Sequence, residues 1–151
     1  YSALPKLLER TGNFEGGSIT GIYTVLVEGD DVNEPISEPV RGIIDGHIVL
    51  SRKIAMQNNY PAIDVLGSIS RLLDDHVREE QIDTAGKMRN LKSLYEANSD
   101  LINIGAYKSG SNKALDEAIS KIDESNRFLK QKVDEKFMFD ESNELMKAAV
   151  S

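Results

Sequence analysis

The sequence predicts an α/β layer that gives way to a small all-α domain, and two observations carry that reading. Short β-branched and apolar runs, broken by Gly and Pro, fill the chain up to Asp74-Asp75-His76; beyond that point the apolar residues recur at helical spacing. The length of 151 residues, 40% hydrophobic and 28% charged, is that of one ordinary or two small globular domains. The boundary is expected between residues 75 and 76.

The elements follow in order. Leu4, Leu7 and Leu8 share a helical face, with Pro5 tolerable in a first turn. Gly12 to Gly17 reads as a loop. Ile19-Thr-Gly-Ile-Tyr-Thr-Val-Leu-Val27 is β-branched and almost continuously apolar, as expected of a strand covered on both faces. Gly29 to Pro35 is an acidic, turn-forming loop. A short helix is expected around Pro39 to Ile44, a strand at His47 to Leu50, and a helix capped by Ser51 that runs to about Asn58.

After Val77, the residues Ile82, Ala85, Met88, Leu91, Leu94 and Tyr95 form one stripe of a long helix. Leu115, Ala118, Ile119 and Ile122 form a second stripe, with Ser111 or Asn112 as candidate cap. Phe128, Leu129 and Val133 suggest a third element, and Leu145, Met146 and Val150 a last one. Such stripes most simply form the core of the helical domain itself.

Several function classes are excluded or disfavoured. A net charge of −7 opposes broad binding to a phosphate backbone, so no nucleic-acid partner is expected. The absence of cysteine removes disulfides and thiolate metal sites. No apolar run approaches the ~18 residues that span a bilayer, and the start lacks a basic-then-apolar signal pattern. A cytoplasmic location is the expectation. The chain starts at Tyr1 without an initiator Met, which reads as a piece of something longer.

Two stretches have the glycine spacing of a phosphate-cradling loop, Gly-x-x-x-x-Gly-Lys-[Ser/Thr]. They are Gly12-Asn-Phe-Glu-Gly-Gly17 and Gly105-Ala-Tyr-Lys-Ser-Gly110, but Ser18 and Ser111 stand where the lysine is needed. Both are chance spacings. His47 and His76 have no His-x-x-x-His or carboxylate partner spacing, and no serine elbow accompanies them; no metal site is expected.

The most informative segment is Tyr60-Pro-Ala-Ile-Asp-Val-Leu-Gly-Ser-Ile-Ser-Arg71, which joins an aromatic ring and a guanidinium through a short apolar run. With Ala3–Arg10, Gly17–Asp31, Asp45–Arg52 and Gly105–Asn112 it resembles, in collinear order, the late catalytic core of the rotary-type ATPases. The resemblance is greatest to the hexameric ATPases of type III protein export, above all the flagellar branch. It implies the terminal portion of a RecA-like P-loop core followed by a small C-terminal helical domain. It also implies a homohexamer that hydrolyses ATP with Mg²⁺, whose phosphate and metal ligands lie outside this chain, so that residues 1–151 alone are expected to be inactive. The implied partners are a central stalk, export chaperone–cargo complexes and an export gate, with membrane association only through them at the cytoplasmic face.

Roles follow residue by residue from that resemblance. Arg71 becomes a trans-acting finger on the γ-phosphate, where a permanently charged planar guanidinium suits the spread of negative charge. From charge pattern alone Arg71 is a surface residue pairing with Asp74 or Asp75. Tyr60 lines the adenine pocket, with Pro61 expected to hold it extended; its plainer reading is a half-buried core tyrosine. Tyr107 supplies an opposite wall of that pocket. Asp30, Asp31 and Glu34 face the stalk, or form no more than a solvated turn. The alternatives in function are an injectisome ATPase, or a non-catalytic domain that binds stalk, chaperone or cargo.

Overall fold

The computed structural model describes residues 3–26 and 37–151. They fall into two compact units that divide between His47 and Ile48.

In the first unit, helix α1 (Ala3–Leu8) packs on helix α2 (Ser37–Ile43). Leu8 and Val40 are buried there. The expected loop is a tight hairpin: β1 (Gly12–Phe14) pairs antiparallel with β2 (Gly17–Ile19), Gly12 opposite Ile19 and Phe14 opposite Gly17. Of the long strand expected from Ile19 to Val27, the part among the described residues, up to Leu26, is not formed beyond Ile19. Strand β2 ends at Ile19, and residues 20–26 are irregular, with Ile22 94% and Leu26 93% exposed. A strand needs ladder partners for its N–H and C=O groups. Among the described residues only β1 runs beside β2, and that pairing stops at Gly12.

Strand β3 (Gly46–Leu50) leads into the second unit and pairs with β4 (Ile63–Ser70). Helix α3 (Arg52–Met56) lies between them, and the Ser51 Oγ accepts from the N–H of Ile54 at 3.4 Å, the expected cap. The helix ends short of Asn58 because that residue adopts φ of 54°, the left-handed conformation that closes helices. Ser51 N–H donates to the Ala62 carbonyl at 2.8 Å and closes the loop over α3.

The helical part begins with a single turn, α4 (Leu73–His76), and the long α5 (Glu79–Ala97). A short α6 (Ser99–Asn103), absent from the sequence reading, follows directly. Helices α7 (Lys113–Phe128) and α8 (Phe139–Val150) pack with α5 around Met88, Leu91, Leu115, Ala118, Ala149 and Val150. Ala118 is fully buried, so the α5–α7 approach is set by the smallest side chain in the second stripe. Lys87 pairs with Glu117 at 3.1 Å on the rim of that contact, and Lys147 of α8 pairs with Glu80 of α5.

The expected third element is not separate. Phe128 is the last residue of α7, Leu129 packs on the same core, and Val133 is fully exposed in an irregular stretch. The charged run from Lys130 to Lys136 has no apolar face to bury, so it connects two helices instead of forming another.

Candidate functional site

Strand β4 carries the segment singled out in the sequence, and its backbone is not flat. The guanidinium of Arg89, on α5, donates to the carbonyls of Val65, Leu66 (3.2 Å) and Ser68 (3.2 Å). Successive carbonyls of a regular strand point in opposite directions, so 65 and 66 cannot both reach one guanidinium unless the chain coils between them. The coil is built locally. Asp64 Oδ1 accepts from the N–H groups of Leu66 and Gly67, each at 3.0 Å. Ser68 Oγ donates to the Asp64 carbonyl and accepts from Val49 N–H at 3.0 Å. Gly67 permits the close approach, since a Cβ there would stand 2.9 Å from Asp64 Oδ2.

Arg71 follows this held strand immediately. It lies exposed in the turn between β4 and α4. Arg89, which anchors the strand, was missed by sequence reasoning. Its only signal was a cation adjoining the core residue Met88 and not placed on the opposite, solvated face of α5.

Tyr60 is 54% exposed and is joined to Pro61 by a cis peptide bond. Its carbonyl accepts from Gln131 N–H at 2.9 Å, just past the end of α7. Tyr107 is held differently. Its ring packs against the helical core, and its hydroxyl lies 2.9 Å from Asp116 Oδ1 and 3.1 Å from the Asn112 carbonyl. Asp116 Oδ2 also accepts from Gly110 N–H at 2.9 Å, and the Asn112 side chain caps α7 through Ala114 and Leu115. The Gly105–Asn112 loop is therefore folded onto the first turn of α7. Helix α7 has 16 residues, or about 24 Å at ~1.5 Å per residue, so the two tyrosines are tethered at its opposite ends.

Neither glycine-spaced stretch is a phosphate cradle. Gly12–Gly17 is the β1–β2 hairpin, and the Gly110 amide is already occupied by the Asp116 carboxylate. His47 is half-buried in β3 and His76 is exposed at the end of α4. Among the described residues no three His, Asp or Glu side chains gather to hold a metal ion, and no helix is long and apolar enough to cross a membrane. Asp30, Asp31 and Glu34 lie outside the described residues. The hydrogen bond from Lys147, and secondarily its charge, hold the Glu80 carboxyl below its ordinary range. The same contact raises Lys147.

Comparison with known proteins defines the class first. Residues 1–70 match the nucleotide-binding domain of the ATP synthase alpha/beta family, and residues 77–148 match the C-terminal domain of the type III secretion ATPase EscN. A flagellum-specific ATP synthase of Bacillus subtilis is 52% identical over 142 residues, 94% of this chain and 32% of that protein. The assembled EscN ATPase from the enteropathogenic E. coli type III secretion system superposes with a TM-score of 0.96 at 41% identity, covering 99% of this chain and 36% of that one. EscN assembled with its central stalk EscO gives 0.89 at 38%, over 99% of this chain and 35% of that one.

Along almost its whole length the chain is similar to flagellar and type III secretion ATPases, and its fold is that of the end of a RecA-like core with the helical domain after it. It spans about a third of the length of the curated relatives it matches.

Proposed function

We propose that the whole protein is a ring-forming ATPase that energises flagellar protein export, and that this chain supplies the subunit-boundary half of its nucleotide site. Arg71 acts in trans on the γ-phosphate and Tyr60 stacks on the adenine in cis, whereas Tyr107, tethered at the other end of α7, organises its own loop and does not wall the same pocket. The boundary between the ATPase core and the helical domain falls between residues 75 and 76. Asp30, Asp31 and Glu34 meet a basic face of a central stalk. Chaperone–cargo complexes and the export gate are the further partners.

The observation that carries the reading is the position of Arg71, exposed immediately after a strand whose carbonyls are bonded to a neighbouring helix. A finger must project from rigid backbone to reach across a boundary, and β4 is such a base. The exposed ring of Tyr60 on a tethered backbone supports the adenine role. The identity to a flagellum-specific relative favours flagellar export, while the likeness to EscN keeps an injectisome as the second reading.

ATP and Mg²⁺ are the implied cofactors of the whole protein. The described residues form no phosphate cradle, so residues 1–151 alone are expected not to turn over Mg-ATP. In the full-length ring, Arg71→Lys should lower kcat by roughly 10³-fold or more, with a much smaller change in nucleotide affinity. Steady-state turnover together with nucleotide binding decides it, and undiminished kcat rejects the role.

A further inference from the structure

We propose that Arg89 is the positioning residue of the Arg71 finger, setting the direction in which the end of β4 delivers it. The inference rests on the finger reading above and adds a residue to it. Three observations carry it. The guanidinium of Arg89 bonds three main-chain carbonyls, Val65, Leu66 and Ser68, within the last six residues of β4. Those carbonyls point together only because the strand is coiled there by Asp64 and Gly67. The last of them belongs to Ser68, whose hydroxyl is itself held from the other side by Val49 N–H.

The geometry suits arginine alone among the cations. Its planar fork offers five donors in fixed directions, whereas a lysine ammonium is a compact point charge on a flexible stem. A strand coiled out of the ordinary ladder leaves carbonyls without partners, and the fork satisfies three at once. Arg89 itself need touch neither nucleotide nor neighbouring subunit. It acts through the backbone, and a displacement of about 1 Å at a reacting group can cost roughly 100-fold in rate.

The test is a double-mutant cycle in the full-length ring with Arg71→Lys and Arg89→Lys. Arg89→Lys retains the charge and loses the fork. By itself it should lower kcat about 10- to 100-fold and leave KM for ATP within about twofold. Added to Arg71→Lys, it should lower kcat no further, because a misdirected finger that is already ineffective has little left to lose. Arg89→Met serves as a second variant, and Arg89→Lys rings that still assemble on a sizing column carry the test if Arg89→Met does not fold.

Multiplicative losses, or a KM that rises as much as kcat falls, overturn the proposal and leave Arg89 a general packing residue. Normal turnover by Arg71→Lys is a separate failure, because it removes the finger and this inference with it. Slow Arg71→Lys with a multiplicative Arg89→Lys removes the positioning role only.

Discussion

The main-chain carbonyl of Tyr60 accepts a 2.9 Å hydrogen bond from the N–H of Gln131, in the irregular stretch after α7. The bond fastens the backbone beside the proposed adenine ring to the far end of the helical part. It is made by main chain, so side-chain replacement should leave it intact. Gln131→Pro removes the donor and should lower stability by about 1 kcal/mol, with weaker nucleotide binding in the full-length ring. Gln131→Ala is the control and should lose less, sacrificing only the side-chain bond to the Glu135 carbonyl. Melting curves and nucleotide titrations of both variants check this.

Tyr60 exposes its ring, so replacing it should cost the fold little and the ligand more. Tyr60→Ala is expected to weaken nucleotide binding by ~1–3 kcal/mol, the range for base stacking on an aromatic ring. Tyr60→Phe keeps the π-face and should bind nearly as well as the parent. Equal affinity for Ala and Phe variants would show that no base rests there.

Asp116 organises the other tyrosine. Its carboxylate receives the Tyr107 hydroxyl, the Gly110 amide and, at 3.4 Å, Ser109 Oγ. Gly110 takes φ of 87°, which other residues adopt with strain, so the loop needs both the glycine and its acceptor. Asp116→Ala should destabilise the protein by about 1–3 kcal/mol, since it leaves a half-buried hydroxyl and an amide to find new partners. Hydrogen exchange should quicken at Gly110 before it does in the core of α7. Tyr107→Phe should be milder in stability, retaining the ring and losing one bond.

The Glu80–Lys147 contact predicts a pH signature at the α5–α8 seam. The Glu80 pKa is lowered in the folded state, so its contribution is present above the unfolded value and is lost as pH falls through the folded one. The Lys147 pKa is raised, so its contribution is present below the unfolded value and disappears as pH rises through the folded one. The pair is therefore intact across neutrality and weakens only in acid below the ordinary carboxylate range or in base above the ordinary lysine range. Both side chains are exposed, so the effect should be small and screened by salt. Glu80→Gln should erase the acid limb of α8 protection in hydrogen exchange and change little at pH 7. An unaltered acid limb would assign it to other carboxylates.

The legible parts of the fold were those whose physics is local. Ser51 and Asn112 are caps because a side-chain oxygen beside a run of helix formers finds free N–H groups within three residues, and both caps are formed. The α5 and α7 stripes mark the faces of a three-helix core because helical period is a property of consecutive residues. The resemblance to rotary-type and export ATPases was also carried by words of the chain alone, and the family matches bear it out. The expected strand from Ile19 failed for the opposite reason. Its apolar pattern states what the segment would bury, whereas forming the strand requires a neighbour for its backbone.

The sequence by itself settled the class of protein, the order of α/β and helical parts, and which residues invite attention: Tyr60, Arg71 and Tyr107. Tertiary structure decided what holds them. Arg89 reaches β4 across the fold, Gln131 meets Tyr60, and Asp116 gathers the Tyr107 loop onto α7. Side-chain identity and periodicity are written along the chain, but a hydrogen bond to a main-chain carbonyl carries no residue code at the acceptor. Only the path of the backbone in space brings such an acceptor to its donor.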